Sequence, residues 1–286
     1  MKRLFIAVFA AATMLCAQAA DQSAGTFKGT PGLQLYSLRE QFKQDVPGTL
    51  DKVKALGFEL VETAGTYGLG PEKFRELMAA RGLTPVSAHF QYEPLTKDLD
   101  GMIKEARTLG VKFVVCPWIP HQADFNEADV HRAAADFNKW GEAFKKAGIS
   151  FAYHTHGYEF RPVAEGKSET LFDILMRETK PELVSFEMDV FWVAHPGQDP
   201  AKLLAKYPHR WTLMHLKDIR KGARTGLYTG QAPLTDDVAL GTGSIDWPTV
   251  LAEASRVGVQ YYFIEDESPT VLQQLPQTLA YLKTLR

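Results

Sequence analysis

The sequence predicts a (β/α)₈ (TIM) barrel, and three observations carry that expectation. Eight short apolar, β-rich runs alternate with eight amphipathic stretches across residues 32–286, the count and size of one parallel barrel. The runs are nearly continuous in Val, Ile, Phe and Tyr, as strands buried on both faces must be. The last four each end in a side chain that can hold a metal: Ser150–His156, Leu183–Asp189, Trp211–His215 and Tyr261–Glu265.

Taken in order, residues 1–20 stand apart from the barrel. Met1-Lys2-Arg3 is a basic start, Leu4–Ala17 is almost wholly apolar, and Ala17-Gln18-Ala19 fits the small-x-small cleavage pattern of a secretion signal. The apolar part is too short to span a bilayer. Residues 1–20 therefore read as a cleaved signal peptide and the mature protein as periplasmic or secreted, with no membrane attachment after cleavage. Residues 21–31 read as a flexible leader. Strands are expected at 33–38, 58–63, 84–90, 113–118, 150–156, 183–189, 212–216 and 261–265. Helices are expected near 46–56, 71–81, 97–109, 128–147, 168–178, 199–206, 247–257 and 270–284, several opened by first-turn prolines such as Pro71, Pro200 and Pro248. The segment 221–244, with five glycines and no helical period, is long enough to serve as a lid or substrate-binding loop at the barrel mouth.

Composition narrows the function. At 45% hydrophobic, 23% charged and a net charge of −2, the chain has ordinary globular composition and no bulk attraction for nucleic acid. Composition does not decide between a monomer and a homodimer. Without Cys16, Cys116 is the sole cysteine; it sits in an apolar run and reads as a small buried hydrophobe.

Residues two apart in a strand face the same way. His154 and His156, Glu187 and Asp189, and His215 and Lys217 thus form inward pairs near strand ends. Burying so many ionisable groups is costly unless they are paired or hold a cation. A mixed N/O set of His, Asp and Glu suits Mn²⁺, Zn²⁺, Co²⁺ or Mg²⁺, with Mn²⁺ foremost.

Several motifs resemble one family. Gly32-Leu-Gln-Leu-Tyr-Ser-Leu-Arg39, Glu59-Leu-Val-Glu-Thr-Ala-Gly65, Ser87-Ala-His-Phe90, Tyr153-His-Thr-His-Gly-Tyr-Glu-Phe160 and Met214-His-Leu-Lys-Asp218 are similar to those of the xylose-isomerase-like barrels, the sugar phosphate isomerase/epimerase superfamily. The resemblance implies one divalent metal held at the ends of strands five to eight, commonly by Glu, Asp, His and Glu. By position it implies Asp189, His215 and Glu265 as ligands. Strand five departs, with His154-Thr-His156 where many epimerases have Glu. His156 is assigned as its ligand, with Glu159 as the alternative ligand or acid/base.

A metal-polarised carbonyl would let Glu265 or Glu159 abstract the neighbouring proton, giving an enediolate, with Lys217 stabilising the oxyanion. Tyr36, Glu62, His89, Trp118, His154 and Glu187 are candidate substrate contacts, with Glu62 alternatively an anchor for a metal-bound histidine. Phe191 and Trp192 are candidate pocket walls, and His121, His131, His195 and His209 are read as surface residues. The leading expectation is an isomerase or epimerase of a non-phosphorylated sugar, keto-sugar or inositol derivative. The alternative is a lyase or dehydratase of keto-inositols or 3-keto-glycosides, as in the inosose dehydratase-like branch. A sugar-binding barrel without turnover is the remote reading. Charge and the signal peptide argue against the DNA-repair members of the superfamily.

Overall fold

In the computed structural model, residues 26–286 are described. The expected signal peptide and the first part of the leader lie outside the described residues. The apolar runs form eight parallel strands: β1 (Pro31–Gln34), β2 (Leu60–Thr63), β3 (Thr84–His89), β4 (Phe113–Cys116), β5 (Ser150–His154), β6 (Val184–Asp189), β7 (Trp211–Leu216) and β8 (Tyr261–Ile264). Each pairs with its neighbour in sequence, and β1 pairs with β8 to close the barrel. The main helices between and after them are α1 (Val46–Ala55), α2 (Pro71–Ala79), α3 (Leu99–Leu109), α4 (Glu127–Lys146), α5 (Leu171–Glu178), α6 (Pro200–Lys206), α7 (Trp247–Val257) and α8 (Val271–Thr284), with shorter helices, not expected from the sequence, at Arg39–Phe42, Tyr92–Lys97 and Val190–Ala194. Their starts follow local chemistry. Asn126 with Asp129 and Thr170 with Asp173 form reciprocal capping boxes, and Asp199 and Asp246 cap helices that open on proline.

β2, β6 and β7 end where the periodicity places them, and the other five strands turn earlier. β1 stops at Gln34, whose side-chain oxygen accepts from the Tyr36 N–H at 3.0 Å and bends the chain into a 3₁₀ turn, Leu35–Leu38. β5 stops at His154. The Glu159 carboxylate accepts from the His156 N–H at 2.8 Å, and Gly157 adopts φ +95°, a turn conformation that a side chain would resist. The leader also differs. Phe27, expected in a flexible segment, is buried; its N–H donates to the Leu285 carbonyl at 2.9 Å and its ring meets Tyr262 edge-on.

The barrel interior has two levels. At the lower one Val86, Phe113, Val115, Ala152, Leu213 and Phe263 form an apolar plug made only of strand residues. Gly32 makes room for it, since a Cβ there would lie 2.6 Å from the Phe263 ring. Above the plug the inward side chains become ionisable.

The segment after β7 is anchored at both ends. Asp218–Ile219 pairs antiparallel with Asp237–Val238. The Asp218 carboxylate accepts from the N–H groups of Gly241, Gly243 and Ile245 and from the Trp247 indole. Farther along, the Gly226 N–H reaches the His195 carbonyl at 2.8 Å. Among the described residues no helix is long and apolar enough to cross a membrane.

Candidate metal centre and active site

Three strand ends bring Asp189 (β6), His215 (β7) and Glu265, just past β8, into one group with donor atoms within 4.8 Å of one another. His215 Nδ1 lies 3.3 Å from Glu265 Oε2 and 3.7 Å from Asp189 Oδ2, and His154 Nε2 lies 3.9 Å from the same Asp189 oxygen. Four tetrahedral ligands at about 2.1 Å from an ion would be separated by about 3.4 Å. Asp189 Oδ1 accepts from the Trp192 N–H, while its Oδ2 is buried with no hydrogen-bond partner. A buried, unpartnered carboxylate oxygen facing other donors at this spacing fits a divalent cation.

A second group lies beneath, and its distances differ. Glu187 Oε2 lies 2.9 Å from His154 Nδ1, 3.0 Å from His89 Nε2 and 3.2 Å from His215 Nε2. Glu62 Oε2 lies 2.6 Å from His215 Nε2, 3.1 Å from His89 Nε2 and 2.8 Å from Gln34 Nε2. Several of these are hydrogen-bond distances. His154 and His215 therefore each turn one nitrogen up to the Asp189 level and the other down to a buried carboxylate. This arrangement orients a ligating imidazole and fixes its tautomer.

Electrostatics follow from the crowding. Burial opposes charge on His89, but Glu62 and Glu187 raise its pKa to about 10. Burial likewise opposes charge on Glu265, yet Lys217 and His215 hold it well below the usual carboxylate range. His156 goes the other way, since burial, with His154 and Lys217 nearby, keeps its imidazole neutral.

Over these groups opens a cavity of about 560 Å³. His89, His154 and Glu265 line it together with Trp118, His156, Trp192 and Tyr36, and Gly230, Gln231, Ala232 and Leu234 of the segment after β7 close one side. Gly230, at φ +63°, packs where a Cβ would sit 2.8 Å from Tyr158 and 2.9 Å from Trp118.

The family model described as xylose isomerase-like TIM barrel matches residues 50–285. The chain belongs to this family. Among its curated relatives, the inosose dehydratase of Clostridium botulinum (strain Alaska E43 / Type E3) is 26% identical over 266 residues, covering 79% of this chain and 84% of that one. Matches to the Bacillus cereus inosose dehydratases span about 63% of those proteins' length. A solved sugar phosphate isomerase/epimerase from Parabacteroides distasonis ATCC 8503 superposes with a TM-score of 0.72 at 26% identity, covering 91% of this chain and 95% of that one. The IOLI protein, solved with a binding zinc atom, shares the fold at a TM-score of 0.68 and 13% identity, covering 90% of this chain and 96% of that one.

Within this xylose isomerase-like barrel, several sequence expectations move. His156, assigned as the strand-five ligand, lies in neither donor group. It follows the strand end, so strand alternation no longer governs it, and its ring stacks on Trp192 at 4.7 Å. His154, expected to touch substrate, takes the inward place among the donors. Glu159 is wholly buried, with Oε1 held by its own turn; burial raises its pKa to about 7, and it lies outside both donor groups. Glu187, expected at the substrate, is sealed beneath the histidines, whereas Glu62, expected either at the substrate hydroxyls or as an anchor for a histidine, takes the second place and holds His215. His89, Trp118, Trp192 and Tyr36 line the cavity, whereas Phe191 packs with Ile219 in a small satellite cluster.

Lys217 is buried among carboxylates, its Nζ 3.1 Å from Glu265, 2.6 Å from Glu267 and 4.0 Å from Asp237. Of the histidines read as surface groups, His131 and His209 are exposed. His195 is buried, and His121 is half-buried against Trp118. Burial raises the Cys116 thiol to about 12, in keeping with an inert packing role. The sequence reading missed Glu267 and Asp237, which complete the Lys217 cluster. Glu267 follows Glu265 at the same strand end, a signal that was available. Asp237 lies in an irregular segment and carried none.

Proposed function

We propose that this barrel is a divalent-metal-dependent lyase that removes water or an alcohol from a keto-sugar or keto-cyclitol. The observation that carries the metal is the buried, unpartnered Asp189 Oδ2 at ligand spacing from His154 and His215, with Glu265 in turn 3.3 Å from His215. These four residues would hold the ion, with Mn²⁺, Zn²⁺, Co²⁺ and Mg²⁺ all compatible with a mixed N/O set. When bound, such an ion supplies Lewis acidity that polarises a carbonyl and acidifies the adjacent C–H.

The chain's own residues then favour elimination. Glu265, which lines the cavity, accepts the proton; the C–H electron pair forms the new double bond as the neighbouring C–O bond breaks, and the departing oxygen takes that proton back from Glu265 to leave as water or the alcohol. Lys217 Nζ, held positive beside Glu265, stabilises the negative charge that builds up. Trp118, His156 and Trp192 wall the other side, and Glu159 is buried in its own turn. The other carboxylate lining the cavity, Glu267, is paired with Lys217 and Arg39 at the same strand end as Glu265, so two-base epimerisation lacks a free carboxylate partner for Glu265 among the described lining residues. The inosose dehydratase relatives support the same reading. Isomerisation through one base is the second reading, favoured by the isomerase/epimerase neighbour.

The test is incubation of Mn²⁺-loaded protein with inososes, ketoses and 3-keto-glycosides in D₂O. Elimination product, with loss of activity in Glu265→Gln, is expected. Isomerised product with solvent deuterium would favour the second reading. Absence of exchange, isomerisation and elimination across the panel, with Glu265→Gln indistinguishable from wild type, would overturn the proposal. We also infer from residues 1–20 that the enzyme acts outside the cytoplasm. The protein purified from its native host should begin at or near Ala20, and a start at Met1 would contradict this.

A further inference from the structure

Among the described residues, four large hydrophobic side chains are exposed: Tyr36, Leu69, Leu234 and Leu272. Their placement is not scattered. Tyr36 follows β1, Leu69 lies in the segment after β2, Leu234 in the segment after β7, and Leu272 opens the helix after β8. Those four strands are neighbours in the closed barrel, in the order β2, β1, β8, β7. The exposed apolar groups therefore form one arc on the C-terminal rim, the face where barrel enzymes bind substrate. Tyr36 and Leu234, exposed by 43% and 47%, also line the 560 Å³ cavity.

The exposure of Tyr36 is built in. The Arg39 guanidinium sits 4.4 Å from its ring centroid, donates to the Tyr36 carbonyl at 3.1 Å and pairs with Glu267 at 3.5 Å. Tyr36 N–H is held by Gln34. An aromatic ring braced on one side at the lip of a cavity is a platform.

The cavity is thus divided. His89, His154 and Glu265 stand at the barrel end, while Tyr36 and Leu234 stand at the mouth. A bare polyol presents hydroxyls on every side and would leave the mouth in contact with water. Its volume, within the roughly 300–1,000 Å³ typical of sites for drug-sized ligands, also exceeds the needs of a single six-membered ring. We propose that the substrate is a keto-sugar ring bearing an apolar substituent, an aryl or alkyl keto-glycoside, with the ring at the metal end and the substituent against Tyr36 and Leu234. This rests on the proposed reading of the cavity as the substrate site. It adds the class of the substituent, and hence of the alcohol that elimination would release. Burying apolar surface at the rim and pairing an aryl group with the Tyr36 ring both favour the bound state.

The experiment compares phenyl and methyl β-D-glucopyranoside binding to Mn²⁺-loaded protein by calorimetry. Because it measures binding, it reads the rim whether or not the elimination chemistry holds. The phenyl glucoside should bind at least about tenfold more tightly, a difference of about 1.4 kcal/mol. Tyr36→Ala with Leu234→Ala should shrink that ratio below about threefold, and Tyr36→Phe should keep it; near-ultraviolet circular dichroism confirms that each variant is folded. Equal binding of the two glucosides, no binding of either, or a ratio that survives the double alanine variant would overturn the proposal. So would a dimer that dissociates on Leu234→Ala and Leu272→Ala while the ratio stays unchanged, since the arc would then be a contact between copies.

Discussion

Within single strands of this barrel, two adjacent inward positions do opposite work. Ala152 precedes His154, Leu213 precedes His215, and Phe263 precedes Glu265, each pair about 7 Å apart along the strand. All six are buried, so burial does not tell the levels apart. What differs is whether each atom has a partner. The lower residues close-pack into a plug, which is the condition for stability in a protein interior. The upper level leaves Glu62 Oε1, Glu187 Oε1 and Asp189 Oδ2 buried without hydrogen bonds. Unpaired buried oxygens are destabilising unless something else meets them. The lower level holds the barrel together, and the upper spends some of that stability on a charged site.

This contrast can be broken from either side. The largest effect should come from Glu265→Gln, which removes the proton acceptor: kcat/KM for the substrate identified in the D₂O panel should fall by about 10²–10⁴, with little change in the denaturant midpoint. Phe263→Ala should show the reverse, losing about 3–5 kcal/mol of stability in urea titrations while the purified protein keeps its metal.

Glu159 adds a pH dependence belonging to neither level. Its folded pKa is raised from 4.5 to about 7 by burial, so the buried group favours the protonated form. Its contribution is fully present below pH 4.5 and is lost as pH rises through about 7, roughly 3 kcal/mol in all. Glu159→Gln should flatten the stability profile across that window, and an unchanged slope would count against the assignment. The smallest effect should come from Glu187→Gln, which weakens the support of His154 Nδ1. Competition with a chelator should show metal affinity reduced by about 10–100-fold.

Much of this was readable in the sequence. All eight strands and their intervening helices form close to the expected positions, because buried parallel strands and amphipathic helices write different periods into the chain. Asp189, His215 and Glu265 converge as strand-end residues should. The departures lie just beyond strand ends. The assignment of His156 rested on an alternation that ceases at His154, where Gly157 and the Glu159–His156 backbone bond turn the chain. Glu187 was recognised as inward-facing and Glu62 as a candidate anchor for a histidine, but their depth beneath the histidines depends on the stagger between strands, which one strand's pattern does not encode. His195 looked like a loop residue because its burial comes from a segment some thirty residues away, closed by the Gly226 bond.

In the proposed site, strand five contributes His154, oriented from below by Glu187, to a cation shared with Asp189, His215 and Glu265. Elemental analysis of metal in the purified wild type, His154→Ala and His156→Ala separates this arrangement from one built on His156. About one divalent ion per chain is expected in the wild type and in His156→Ala, with a marked loss in His154→Ala. Retention by His154→Ala with loss in His156→Ala would contradict the proposed arrangement.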